Sequence, residues 1–225
     1  MSTGKSAASW TMKKIVRPQS LALRMADQIR ELIVNGEIEL GTLISENDIA
    51  SKLQVSRTPV REALQKLETE RLVQIIPQRG TYVFQFNEQE MQQTCKMREI
   101  LESGALGIAL ARDREGLIAA LEKQLKLGNK ALNGDPDSFR AADAGFHMAL
   151  IEFSQNQELI YAYHNIINRI RALLNRLART TEELSGSQKD HEDFVAMLRE
   201  GRDADAEQHL RWHVGGLLRM FQQKY

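Results

Sequence analysis

The feature that most constrains this chain is where its prolines fall. Four occur, at Pro18, Pro59, Pro77 and Pro136. A proline inside a helix removes one rung of the hydrogen-bond ladder and clashes with the preceding turn. Long helices are therefore open to most of the 225 residues. The stretch from Glu88 onward reads as helix throughout, with segments expected near 88–112, 115–133, 138–154, 157–184, 188–200 and 203–223. The connections are Asn133-Gly134-Asp135-Pro136, Ser185-Gly186-Ser187 and Gly201. They are short and polar, which makes successive helices antiparallel neighbours in a bundle.

The segment before Asn87 has a different grammar. From Ser20 to Asn35, residues Leu21, Met25, Ile29, Leu32 and Ile33 share one helical face, and Asn35-Gly36 is a stop. Ser45 caps a short expected helix, Glu46 to Leu53. A tight turn, Gln54-Val55-Ser56, leads to a third helix running to about Glu70. Ser56 is its candidate N-cap, and Pro59 falls in the first turn, where a missing N–H costs little. Two strand-like stretches follow, 72–76 and 81–86, joined by Pro77-Gln78-Arg79-Gly80. The expected fold is mainly α. A winged helix-turn-helix with a small hairpin occupies residues 20–86, and an all-α antiparallel bundle occupies 87–225. Residues 1–19, rich in Ser, Ala and Lys, read as a flexible tail.

Composition narrows the class. A hydrophobic content of 42% and a charged content of 27% are ordinary for a globular protein. No apolar run is long enough to span a membrane, and the N-terminus lacks a signal-peptide core. With Cys95 the single cysteine, no intrachain disulfide exists, which fits a reducing cytoplasm. Cys95 itself reads as a small buried apolar residue. The net charge is zero, but residues 1–86 carry 12 Lys/Arg against 9 Asp/Glu, and residues 87–225 carry 18 against 21. That sign is right for an N-terminal DNA-binding part, though the asymmetry is small.

In a helix-turn-helix the second helix lies in the major groove. Its exposed N-terminal residues here would be Arg57, Thr58 and Arg61. The two arginines, four apart, share a face suited to a base edge and a phosphate. Val60, Ala63, Leu64 and Leu67 take the buried face, and Arg79-Gly80 forms the wing tip. The run Val55-Ser56-Arg57-Thr58-Pro59-Val60-Arg61-Glu62-Ala63-Leu64 resembles the GntR family of bacterial regulators. So do Leu67, Arg71-Leu72-Val73, Arg79-Gly80-Thr81-Tyr82-Val83 and, upstream, Ile44-Ser45-Glu46 through Ile49-Ala50. The resemblance implies operator contacts from Arg57, Thr58, Arg61, Arg79 and Gly80. Some members carry an arginine before the turn where this chain has Asn47 or Asp48, so their operator sequences do not transfer.

Asp143 and His147, at i and i+4, project from one helix face, while His191 and His213 fall on the fifth and sixth expected helices of the bundle. Three imidazoles and a carboxylate suit zinc, nickel, iron or manganese better than calcium. On spacing alone His164 and His209 compete for the same role. Arg98-Glu99-Ile100-Leu101-Glu102, Asp143-Ala144-Gly145-Phe146-His147, Asn156 with Leu159, His191, and Ala206 through Leu210 to His213 resemble the FadR C-terminal domain, or FCD. That resemblance implies a metal on Asp143, His147, His191 and His213, with zinc first among the candidates, and a small organic acid as effector.

A guanidinium offers such an acid a planar donor pair. Arg98 is the candidate anchor, with a salt bridge to Glu102 at i+4 as its alternative role. Arg140, Asn168 and Arg171 are further pocket candidates. A homodimer on a pseudo-palindromic operator, without membrane association, is expected. Two rivals stay open, a metal-responsive regulator with no organic effector and a metal-dependent enzyme. The enzyme reading lacks a general base placed by motif.

Overall fold

Ser20 accepts from the Leu23 amide and opens α1, Leu21–Val34. Ser45 does the same from Asp48 for α2, Glu46–Leu53. In the turn that follows, Gln54 takes a left-handed conformation with φ 53°, and the Val55 amide bonds back to the Ala50 carbonyl. This reverses the chain into α3, Arg57–Thr69. Ser56 stands at the N-cap position, but its side chain makes no capping bond. The computed structural model describes residues 20–132, 134–178 and 180–224, so the expected tail at 1–19 lies outside the described residues.

Strands β2, Val73–Ile76, and β3, Gly80–Val83, form the wing in the register Val73 to Val83 and Ile76 to Gly80. A two-residue strand not read from the sequence, β1 at Leu43–Ile44, pairs with β3 and gives an antiparallel sheet in the order β1-β3-β2. It is too short to leave a period-two signature. Met25, Ile29, Ile33, Leu64, Leu67, Leu72 and Val83 close the core beneath this sheet.

The helical half starts at a capping box, in which Asn87 and Glu90 exchange side-chain and backbone bonds. Helix α4 spans Glu88–Ala131 and breaks at Asp113, whose φ/ψ of −155°/79° are not helical. Asp113 then accepts from the Gly116 amide and restarts the helix, so the break falls at the expected place. Helix α5 is Pro136–Phe153. Helices α6, Gln157–Leu177, and α7, Thr181–Arg199, depart from expectation. Ser185-Gly186-Ser187 lies inside α7, and α6 ends instead at Leu177. Thr180 and Glu183 form a full capping box at the start of α7, and it outweighs a helical glycine's cost of about 1 kcal/mol. The last expected helix divides at Gly215 into α8, Asp203–Val214, and α9, Gly216–Lys224.

The halves meet along α1 and α6. Ala172 of α6 is wholly buried in the core of the N-terminal half. Asn175 Nδ2 donates to the Val34 carbonyl at 2.6 Å. Arg176 donates to the Ile33 carbonyl at 3.2 Å and the Ile38 carbonyl at 2.8 Å. Helix ends leave carbonyls without intrahelical partners, and α6 supplies donors to those of α1.

Gly80 holds the wing in place. Its φ is +113°, and a Cβ built there lies 2.7 Å from Leu43 Cδ1. Gly80→Ala should cost about 1–3 kcal/mol from backbone strain, read by urea denaturation. Adding Leu43→Ala should recover only the steric part, because the backbone angle persists. A neutral Gly80→Ala would contradict this account of the wing.

Candidate functional site

Helices α5, α7 and α8 each deliver one histidine to a single point. The Nε2 atoms of His147, His191 and His213 lie 3.2 Å (147 to 191), 3.0 Å (191 to 213) and 3.3 Å (147 to 213) apart. His147 and His191 are buried to within 1–2% of full enclosure. The rings pack as a unit, His147 over His213 and His191 stacked on Phe146 at 4.0 Å.

The other ring nitrogens of His147 and His213 explain why the Nε2 atoms of these two rings face the cluster. His147 Nδ1 lies 2.7 Å from Glu102 Oε2, and His213 Nδ1 lies 3.0 Å from Asp190 Oδ2. A carboxylate fixes the proton on Nδ1 and leaves the Nε2 lone pair pointing away from it. Burial alone would raise the Glu102 pKa, but Arg98 and His147 outweigh it and hold the carboxyl well below the usual range. Arg98 Nε donates to Glu102 Oε1 at 2.6 Å and the Tyr163 hydroxyl donates to the same oxygen at 2.8 Å. Burial pushes His147 toward its neutral form against the pull of Glu102. Burial lowers His191 further, aided by His213 and His147.

These lone pairs repel unless a cation sits among them. Nitrogens sharing one ion at 2.0–2.1 Å stand about 2.9–3.4 Å apart, and the observed spacings fall in that window. The three histidines therefore fit a transition metal. Asp143 lies beside them, its Oδ1 3.9 Å from His191 Nε2 and accepting from Ser187 Oγ at 3.0 Å. It is adjacent to the histidine triangle but wider than the spacing within it. His209 turns away to the Asp190 carbonyl, and exposed His164 is not among the three.

A cavity of about 280 Å³ opens on this cluster, and a second of about 60 Å³ lies beside it. Arg98, Arg140, Asp143 and His147 line both. Arg98 thus makes the salt bridge to Glu102 that was its alternative role, and it also lines both cavities. Arg140 donates to Asp137 and to the Ala178 carbonyl, yet its buried Nε has no partner. Asn168 lines neither cavity, whereas Arg171 and Asn175 on the same helix line the smaller one. The sequence reading did not find Asp190, Tyr163 or Ser187. Asp190 directly precedes His191, the one local signal available. Cys95 is buried against Met91, and burial raises its thiol pKa, which suits a packing role.

At the other end of the molecule, Arg57 and Thr58 are exposed at the start of α3. Arg61 is exposed too, but it forks onto Glu46 of α2 at 2.9 and 3.3 Å. Arg79 is exposed at the wing turn, and its carbonyl accepts from the Tyr82 hydroxyl. Gly80 faces Leu43.

Two family models match. That of bacterial regulatory proteins of the gntR family covers residues 21–83, and that of the FCD domain covers residues 93–216. The chain belongs to the GntR family. Among its relatives, the gluconate operon transcriptional repressor of Bacillus subtilis (strain 168) is 30% identical over 85% of this chain and 74% of its own. A probable D-xylose utilization operon transcriptional repressor of Paenarthrobacter nicotinovorans is 28% identical over 86% of this chain and 87% of its own. The crystal structure of a GntR regulator from Rhodococcus sp. RHA1 superposes with a TM-score of 0.75. It is 22% identical and covers 91% of this chain and 98% of that one, which speaks to the fold alone.

As a GntR regulator with an FCD domain, the chain is a DNA-binding transcriptional regulator and not an enzyme. No helix among the described residues is long and apolar enough to cross a membrane.

The buried Arg98–Glu102 pair gives a stability test in chelator-treated protein. Glu102→Leu leaves an unpaired guanidinium only 3% exposed and should cost about 3–5 kcal/mol. The double variant with Arg98→Met should recover a large part of that loss in urea unfolding. Simple addition of the two losses would show that the pair is not coupled.

Proposed function

We propose that this regulator is a homodimeric repressor whose operator affinity changes when a small carboxylate-bearing metabolite binds at a metal-containing pocket. The observation that carries this reading is the set of three converging Nε2 lone pairs, two of them from His147 and His213 on the wall of a cavity that also holds Arg98, Arg140 and Arg219. His147, His191 and His213 would hold the ion, with Asp143 as the adjacent oxygen donor. The nitrogen-rich set favours zinc, with nickel, iron and manganese as alternatives. A bound ion would supply a Lewis-acid partner for a carboxylate, and Arg140 and Arg98 would supply the guanidinium donors. The relative named for a gluconate operon is in keeping with a carboxylate effector. The cavity beside the cluster favours an organic effector over metal sensing alone.

Residues 20–86 would form the DNA-reading head and 87–225 the sensing and dimerising half. Arg57, Thr58 and the uncapped start of α3 suit a base edge and a phosphate. Arg61 would exchange Glu46 for DNA, and Arg79 with Gly80 would follow the groove at the wing. Met97, Ile100 and Ile108, at 38%, 58% and 41% exposure, lie on the outer side of α4 beside Gly104 and Gly107. That exposed apolar stripe suits a second copy. Coupling would run along α6. Leu174 lines both cavities, and the next two residues hold the carbonyls at the end of α1.

The test uses metal-loaded protein and duplex DNA selected by it from a random pool. Arg57→Ala should weaken binding about 5–150-fold, the 1–3 kcal/mol of a good base contact. A panel of short organic acids should change the affinity of the wild-type protein and leave Arg140→Gln unmoved. Affinity that follows the metal and ignores every acid would contradict the effector reading.

A further inference from the structure

A cleft of about 570 Å³ lies between the two halves and away from the histidine cluster. Arg169 of α6 forms part of its wall. This guanidinium is 8% exposed, and among the described residues it meets no hydrogen-bond acceptor; its Nε is buried and unpartnered. Its company is aromatic. The guanidinium carbon lies 4.2 Å from the Phe86 ring centre and 5.5 Å from that of Phe84, on the segment that joins the halves. Burial lowers the Arg169 pKa, and nearby Arg71 lowers it further against the pull of Glu90. A buried guanidinium is ordinarily paired, because desolvating an unpaired charge is costly.

Two carboxylates share the cleft, Glu68, which accepts from the Ile75 amide, and Glu90, which accepts from the Asn87 amide in the capping box. Arg71, exposed on the other wall, makes no side-chain bond among the described residues. The cleft thus presents two uncommitted guanidiniums, one from each half of the protein.

We propose that this cleft is a second ligand site, which takes a small phosphate- or carboxylate-bearing metabolite between Arg169 and Arg71. Arg169 is the anchor, since two oxygens of a carboxylate or phosphate satisfy its donors while Phe86 covers its face. Arg71 reaches the same ligand from the DNA-reading half. An occupant would clip the two halves together at a point remote from the histidines.

The test is a thermal-shift titration of the full-length, metal-loaded protein carrying Arg140→Gln, which removes the anchor proposed for the other cavity, with inorganic phosphate and, separately, with succinate. At least one probe should raise the melting temperature saturably. Phosphate alone would identify a phosphorylated ligand, and succinate alone a dicarboxylate. Adding Arg169→Met should abolish the shift while melting, without probe, no lower than the Arg140→Gln parent, because an unpaired buried charge is gone. Adding Arg71→Gly suits the backbone there, whose φ is 56°, and should weaken the response several-fold. No shift with either probe, or a shift unchanged by Arg71→Gly or Arg169→Met, would overturn the proposal.

Discussion

Three imidazole lone pairs held within 3.3 Å of one another are the constraint on which the helical half depends. Without a shared cation such an arrangement is repulsive, and burial removes the water that would relieve it. The fold meets this demand from outside the triangle. Glu102 and Asp190 fix the tautomers of two rings. Arg98 and Tyr163 then keep Glu102 charged in the interior. One polar chain thus runs from α4 and α6 through α5 to α7 and α8, and it binds five helices into one frame. A network of this kind specifies geometry only when every member is satisfied.

The same frame reaches the DNA-reading half through α6. That helix contributes Tyr163 to the buried network, Leu174 to the cavities, and Asn175 and Arg176 to the end of α1. It also places Ala172 in the core of the other half. A shift of α6 by a fraction of a turn would change all of these together, because packed interfaces respond in discrete steps. Arg169, one turn before Ala172, makes the cleft between the halves a second place where a ligand can act on this helix.

Much of this was legible in the sequence. The helix-turn-helix showed itself through Ser45, the 54–56 turn and the spacing of Val60, Leu64 and Leu67. Asp143 and His147 declared a shared face by their i, i+4 spacing. The convergence of His191 and His213 was open to resemblance but not to periodicity, since no local rule brings three helices to one point. Glu102 and Asp190 were harder still, because a carboxylate that supports a ring can come from any neighbouring helix. Ser185-Gly186-Ser187 suggested a break, but the capping box five residues earlier decided where α7 begins. Asn168 was a reasonable pocket candidate, yet on α6 the cavity walls come from Ile167, Ile170, Arg171, Leu174 and Asn175. A buried, unpaired Arg169 leaves no trace in composition at all.

The most direct test of the account is the metal itself. Protein purified without added chelator should carry close to one transition-metal ion per chain by elemental analysis. X-ray absorption at that metal's edge should show about three imidazole nitrogens near 2.0–2.1 Å if the ion is zinc. His191→Ala should lose the ion while keeping the helical circular-dichroism signal. A wild-type protein that binds no transition metal even when one is supplied, or an ion retained in full by His191→Ala, would contradict the claim that these three histidines form a metal centre.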